Sequence, residues 1–134
     1  MHEVLFRKLE RLKEEVLYLE TNRTIFLKNI NISVETKKIT ERSVYLCAEI
    51  VLDIADLVIT LRGLPKPSTY SDSIYKLGDH KIIPIGFSRK FVYIAGLRNF
   101  LAHDYLIDTI NELIKFLKVG VTDIKKFINF IEKL

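Results

Sequence analysis

Three side chains suited to phosphate chemistry lie within the run RNFLAHDY, which extends from Arg98 to Tyr105. The arginine carries a permanent charge on a planar fork that matches phosphate oxygens. His103 exchanges a proton near neutral pH, and the Tyr105 hydroxyl can donate or accept a hydrogen bond. Asn99 and Asp104 are lesser candidates, and Asp104 is better suited to orienting a neighbour or ending a helix. The run therefore predicts a site that handles phosphate.

The spacing of these residues limits how they can converge. On an ideal helix of about 100° per residue, Arg98 and Tyr105 share one face, whereas His103 lies on a different face from Arg98. Either the helix frays before His103, or a second copy of the chain completes the face. Without a chemical role, the same run would be a corner between two helices, with a capping histidine and a half-buried tyrosine.

The sequence upstream of this run indicates two long helices. From about Glu3 to Glu20, apolar residues recur at alternating spacings of four and three, which is typical of a helix with one buried face. Residues 22–34 are ambiguous and predict a short helix or an irregular connection. A second, largely apolar helix is predicted from about Thr36 to Leu61. Its one charged stripe consists of Arg42, Glu49, Asp53 and Asp56.

Glycine and proline mark the end of the second helix and the beginning of a long connection, at Gly63, Pro65 and Pro67. Within that connection a short helix is predicted between Tyr70 and Leu77. A fourth helix, from about Phe87 to Leu101, carries the start of the RNFLAHDY run.

The last part of the chain predicts two further helices. Asp108 or Thr109 can cap the first of them, and Thr109 with Glu112 has the spacing of a capping box. Gly120 is expected to break the helical pattern before the last helix. No alternation typical of strands competes anywhere. The sequence therefore predicts an all-α bundle of about five helices, forming one domain over residues 1–134.

Arg98 itself is expected to need an acidic partner. Its neighbours one turn away in both directions are apolar, and a guanidinium on an apolar stripe is poorly solvated unless it is paired. The charged stripe of the second helix can supply a carboxylate. Asp53 is the first candidate and Glu49 the second; the alternative is that Arg98 points into a wet cleft.

Composition narrows the class of protein. The chain is 49% hydrophobic and 28% charged, which predicts that it folds. Its net charge of +4 permits contact with RNA but does not demonstrate it. Its mean hydropathy of +0.15 is high for a small soluble monomer and favours a homodimer.

The longest apolar segment, Val44–Leu61, contains three carboxylates, which argues against a membrane span. No signal peptide is visible, so we expect a cytoplasmic protein.

Several kinds of site are excluded by pattern. No phosphate-binding glycine loop, nucleophile elbow or HExxH motif is present. The single cysteine, Cys47, and three scattered histidines provide no metal-ligand set. The sequence thus predicts neither a metal site nor a cofactor.

The order Arg, four residues, His, one residue, Tyr resembles the motif of the HEPN superfamily, in the form carried by HepT-like toxins. The resemblance extends over nearly the whole chain. It includes Arg42–Ile59, the connection Gly63–Pro84, the run Phe87–Tyr105 and the segment Ile107–Leu117. It implies the HEPN helical fold with the motif at a homodimer cleft.

The resemblance also implies a function. HepT-like proteins are toxins of type VII-like toxin–antitoxin pairs, acting as metal-independent ribonucleases, and their partner is a minimal, MntA-like nucleotidyltransferase. By this analogy His103 would be the general acid or base, Arg98 would stabilise charge on the phosphoryl oxygens, and Tyr105 would orient the phosphate. Tyr105 would also be the tyrosine to which the antitoxin transfers AMP.

Two other functions remain open from the sequence. HEPN domains also serve as non-catalytic, nucleotide-binding or adaptor subunits of minimal nucleotidyltransferases, in which case no RNA is cut. A purely structural dimeric bundle would keep the fold and give the motif no chemical role.

Overall fold

The computed structural model describes all 134 residues and contains helices but no strands. The α-helices are α1 (Glu3–Asn29), α2 (Val34–Leu61), α3 (Tyr70–Asp79), α4 (Ile85–Phe91), α5 (Tyr93–Ala102), α6 (Ile110–Lys115) and α7 (Val121–Glu132). A 3-10 turn, Asp104–Leu106, follows α5, and a π-helical turn, Phe116–Gly120, joins α6 to α7. Because α4 and α5 meet at Val92 and α6 runs into α7, the chain forms five helical units. The all-α prediction is confirmed.

The first helix is longer than predicted because its second half has its own stabilising contacts. The Asn22 and Asn29 side chains each donate a hydrogen bond to a carbonyl four residues back, at 2.9 and 3.0 Å. Phe26 and Ile30 continue the buried stripe. The ambiguous segment is therefore mostly helix, and only a short turn separates α1 from α2.

The ends of α2 follow from local chemistry. The Ser33 side chain accepts a hydrogen bond from the Thr36 N–H at 3.1 Å and caps the N-terminus. After the helix, Gly63 has a φ of 64°, a left-handed conformation that glycine adopts without a steric penalty.

The predicted helix break at Gly120 is wrong. Gly120 has helical backbone angles and lies where a side chain would collide with a neighbour: a Cβ there would lie 2.4 Å from Cδ2 of Phe116. The glycine accommodates the buried Phe116 ring, and the extra residue of the π-helical turn keeps the helix continuous. Of the two predicted caps for α6, Asp108 is confirmed, because its side chain accepts from the Ile110 N–H at 3.1 Å. Thr109 makes no capping bond, so the capping box is absent.

One hydrophobic core of 33 buried residues connects the helices. The predicted stripe of α1 (Leu5, Leu9, Leu12, Val16 and Leu19) is entirely buried, and so is Cys47. The long helix α2 packs against α1 on one side and against α5 and α3 on the others, while α1 also contacts α7. This arrangement makes α2 the central helix, with α1 and α5 on different sides of it. None of the helices combines the length and the apolarity needed to cross a membrane.

Candidate functional site

Arg98 projects from α5 towards α2 and is paired there with Glu49. Its Nε donates to Glu49 Oε2 at 3.0 Å, and its Nη1 donates to Asn99 Oδ1 at 3.3 Å. The hydrogen bond to Glu49 raises the pKa of Arg98, against the opposing effect of burial. Nη2 has no protein acceptor, so one edge of the guanidinium fork remains available.

The first-choice partner for Arg98, Asp53, is wrong, and the second choice, Glu49, is confirmed. Asp53 lies one turn further along α2 and pairs instead with Lys8 of α1, at 3.6 Å between Nζ and Oδ2. The stripe therefore divides between two neighbours of α2, since Glu49 faces α5 while Asp53 faces α1.

Two tyrosine rings complete the surroundings of Arg98. Its Cζ lies 5.8 Å from the ring centroid of Tyr45 and 5.1 Å from that of Tyr70, within the range of cation–π attraction. The Arg42 Cζ lies 5.9 Å from the same Tyr45 ring. The Glu49 carboxylate raises the pKa of the Tyr45 phenol, as does burial, whereas the two arginines lower it.

Sequence reasoning missed Tyr45 and Tyr70 as members of this site. A signal for the first was available, because Arg42, Tyr45 and Glu49 follow one another at spacings of three and four and so share a face of α2. Tyr70 begins α3 after a long connection, and no local pattern places it beside Arg98.

His103 lies just beyond the end of α5. The helix ends at Ala102, and His103 has backbone angles of −118° and 33°, outside the helical range. Of the two ways of reconciling the motif with helix geometry, the first is thus observed: the helix ends before the histidine. The His103 side chain is exposed and its ring forms no hydrogen bond, which leaves both nitrogens accessible.

Tyr105 lies in the 3-10 turn and projects into solvent. It is 77% exposed, its neighbour Leu106 is 68% exposed, and its ring centroid is 6.3 Å from that of His103. The alternative in which Tyr105 is half-buried between two helices is wrong. Asp104, from the same turn, is also exposed. The motif is therefore a partly buried arginine followed by an exposed histidine, aspartate and tyrosine.

A different polar pair occupies the other side of α5. The Tyr93 hydroxyl donates to Asp123 Oδ2 of α7 at 2.7 Å, and burial followed by the contact with Asp123 raises the pKa of Tyr93 far above neutrality. The pair borders a cavity of about 290 Å³ whose apolar wall includes Leu97, Phe100 and Phe116. Its polar lining also includes Glu112 and Lys115, and none of the motif residues Arg98, His103 and Tyr105 reaches it.

This arrangement can bind an anion and move a proton at neighbouring points. Arg98 has a spare donor edge held in place by Glu49 and two rings, and His103 stands free at the end of the same helix. No three His, Cys, Asp or Glu side chains converge anywhere in the structure.

The model of the ribonuclease HepT-like family matches residues 6–131. The chain belongs to this family. Over 102 residues this HepT-like chain is 26% identical to the tRNA nuclease HepT of Aphanizomenon flos-aquae, with 76% of this chain and 69% of that protein covered.

Solved structures share the fold of this HepT-like chain. The tri-AMPylated HEPN toxin of Shewanella oneidensis, in complex with MNT antitoxin, superposes with a TM-score of 0.89 at 19% identity, with both chains covered completely. A toxin–antitoxin crystallised with AMP-PNP gives a TM-score of 0.87 at 19% identity and the same coverage. These similarities establish the HEPN fold that the sequence motif implied.

Proposed function

We propose that this protein is the toxin of a type VII-like toxin–antitoxin pair and cuts RNA without a metal ion. The proposal rests on two observations in a HepT-like chain: Arg98 is braced by Glu49 and keeps a spare donor, and an exposed, unbonded His103 follows at the end of the same helix. Membership of a ribonuclease family and similarity to a tRNA nuclease support RNA as the substrate.

In the proposed reaction the RNA 2′-hydroxyl attacks its own phosphate. A bond forms between phosphorus and O2′, the bond to O5′ breaks, and the products are a 2′,3′-cyclic phosphate and a 5′-hydroxyl. His103 removes the proton from O2′ or supplies one to O5′. Arg98 stabilises the charge that builds up on the non-bridging oxygens, while Tyr105 orients the phosphate. Asn99 and Glu49 hold the guanidinium of Arg98.

The experiment compares RNA cleavage by the wild type and by His103→Ala, with and without EDTA. We expect the wild type to cut RNA equally well in EDTA and His103→Ala to lose about 10²–10⁴-fold of the rate. His80→Ala is the matched control, because His80 is also exposed but lies at the end of α3. Loss of wild-type activity in EDTA and its return with magnesium would refute the metal-independent mechanism.

We also propose that the toxin is a homodimer. Large apolar side chains are exposed on α1 and at the start of α2, among them Leu17, Ile25 and Val34, and a second set surrounds Tyr105. A folded monomer gains nothing from leaving such groups in water. Light scattering at micromolar concentration should give twice the chain mass of 15.6 kDa; a mass of one chain would contradict the dimer.

The proposed control of the toxin is AMP transfer from a minimal nucleotidyltransferase antitoxin to Tyr105. In the transfer, the phenol oxygen attacks the α-phosphorus of ATP, pyrophosphate leaves, and the phenol gives up its proton. The 77% exposure of Tyr105 makes the hydroxyl reachable. An attached AMP would bring negative charge beside Arg98 and occupy the space for RNA.

Co-expression with the antitoxin followed by intact-mass measurement tests this control. We expect mass increments of whole AMP units that disappear in Tyr105→Phe and persist in Tyr75→Phe, which removes another exposed phenol, on α3. An unmodified wild type that the antitoxin still neutralises would show that inhibition operates by binding alone.

One observation favours a second candidate, the non-catalytic adaptor that binds nucleotide. Arg98 is already neutralised by Glu49 and enclosed by two rings, as in many structural ion pairs. In that case the purified protein would bind ATP or AMP and leave RNA intact under all the conditions above.

A further inference from the structure

A second cavity adjoins the motif on the α2 side. Its volume is about 360 Å³, within the range of small-ligand sites. One wall comes from the N-terminal half of α2, and the other comes from Leu101 and Ala102 at the end of α5, together with Asp104. Since His103 lies between Ala102 and Asp104 in the chain, the cavity opens beside the proposed catalytic histidine.

Two unpaired cations stand at this cavity. Lys38 and Arg42 lie one turn apart on α2, both are exposed, and neither forms an ion pair. Arg42 also lies over the Tyr45 ring, at 5.9 Å, while Arg98 approaches the same ring at 5.8 Å. The Tyr45 ring thus contacts both Arg98, which is neutralised by Glu49, and Arg42, which has no ion-pair partner. This geometry suits two successive phosphates of one strand.

The cavity also carries two carboxyl groups, Glu41 on the α2 wall and Asp104 on the facing wall. Glu41 is only 8% exposed, its Oε2 has no hydrogen-bond partner, and its nearest cation, Lys37, is 3.9 Å from Oε1. A buried polar atom without a partner has an energetic cost in the folded state. Burial, and then the neighbouring Asp104, raises the pKa of Glu41, whereas Thr109 and Lys37 act in the opposite direction. A bound group that donates hydrogen bonds would relieve this cost.

We infer that this cavity holds the nucleotide next to the cleaved phosphate, with its own phosphate on Arg42 and Lys38 and its base edge against Glu41 and Asp104. The inference rests on the proposed ribonuclease function. Single-stranded RNA is read through the exposed edges of its bases. Only guanine presents two adjacent N–H donors on its Watson–Crick edge, so paired carboxyl oxygens favour guanine at this position. Arg42 is then a substrate-binding residue, and Glu41 is a specificity-determining one.

The first arm of the test concerns phosphate binding. Arg42→Gln should raise the KM for RNA about fivefold or more with little change in kcat. It should also reduce the slope of log affinity against log salt by about 0.7–1. Arg89→Gln is the matched control: it removes the same charge from an exposed, unpaired residue of α4 that does not line the cavity. Its KM and salt slope should equal those of the wild type.

The second arm concerns the base. Mapping of cut sites on RNA of mixed sequence should show guanine enriched at one fixed position beside the cut. Uniformly 2′-O-methylated tetranucleotides, which cannot be cleaved, should bind more tightly when guanine is present. Glu41→Gln should reduce this preference about tenfold, and Asp104→Asn, which alters an exposed residue and so spares the fold, should reduce it in the same direction. A purely structural role of Glu41 would alter stability but not base preference.

The outcomes separate this inference from the proposed function. If the wild type cuts RNA without base preference and Arg42→Gln behaves like Arg89→Gln, the subsite is refuted and the ribonuclease stands. If the wild type binds the methylated tetranucleotides with the expected preference but cuts no RNA, the ribonuclease is refuted and the subsite stands. If it binds none of them, the subsite is refuted as well.

Discussion

The two faces of α5 carry the same kind of contact in different surroundings. On one face Arg98 donates to Glu49 of α2 at 3.0 Å, and on the other Tyr93 donates to Asp123 of α7 at 2.7 Å. The arginine lies between two tyrosine rings, close to a turn whose Tyr105 is 77% exposed. The tyrosine borders an apolar cavity. We call the face of α5 that carries Arg98 the open face and the face that carries Tyr93 the closed face.

The difference explains why one polar pair is suited to binding a ligand and the other to holding two helices together. Arg98 has several donors, and after Glu49 and Asn99 are bound it retains Nη2 for an anion. Tyr93 has a single donor, which Asp123 uses, although the tyrosine itself is 39% exposed. A pair therefore supports binding only when its donor has unused hydrogen-bonding capacity. The following predictions test this distinction.

The largest effect should come from Arg98→Ala on the open face. If Arg98 stabilises the phosphoryl oxygens as proposed, loss of its charge should lower kcat/KM for RNA by about 10²–10³-fold. Arg98→Lys should recover only part of the rate, because an ammonium lacks the planar fork. The free energy of unfolding, measured by thermal denaturation, should change by less than about 1 kcal/mol, since the Arg98–Glu49 pair is partly solvated. Cleavage by Arg98→Ala within threefold of the wild type would remove the functional distinction between the faces.

On the closed face, Gly120→Ala should destabilise the fold by about 1–3 kcal/mol, because the new Cβ would collide with the buried Phe116 ring. Gly96→Ala is the control, on the wall of the same cavity. Nothing lies within 4 Å of its new methyl group, and alanine favours the helix, so stability should rise by up to about 1 kcal/mol. Chemical denaturation measures both. Equal effects of the two substitutions would refute the packing role of Gly120.

A smaller effect is expected from Tyr93→Phe, which removes one hydrogen bond from the closed face. The free energy of unfolding should fall by about 1 kcal/mol, because Asp123 is only half-buried and can be rehydrated. The rate of RNA cleavage should stay at the wild-type level. A loss of cleavage without a loss of stability would place Tyr93 in the functional site and contradict the distinction between the faces.

The smallest expected effect is a pH-dependent change in stability caused by Glu41, which lies on α2. Burial raises the pKa of Glu41 above its ordinary value of 4.5, so folding favours the protonated carboxyl. This contribution to stability is fully present below pH 4.5 and is lost as pH rises through the folded-state pKa. Glu41→Gln should therefore be more stable than the wild type at neutral pH, with the difference vanishing in acid. A difference that is the same at pH 4 and pH 7, measured by thermal unfolding, would contradict the raised pKa.

Much of this molecule follows from its sequence because periodic patterns report which face of a helix is buried. The stripe from Leu5 to Leu19, the length of α2 and the need of Arg98 for a carboxylate were all readable without a structure. So was the family, since the motif and its flanks keep their order along the chain.

Only the tertiary structure decided which groups meet. Periodicity gives the orientation of a side chain about its own helix but not the identity of the helix opposite. For that reason Glu49, and not Asp53, contacts Arg98, and Tyr70 reaches the same guanidinium from a distant part of the chain. Gly120 illustrates the same limit: its propensity predicts a break, but the space required by the Phe116 ring keeps it within a continuous helix. Packing between distant segments outweighs the fraction of a kilocalorie that separates local propensities.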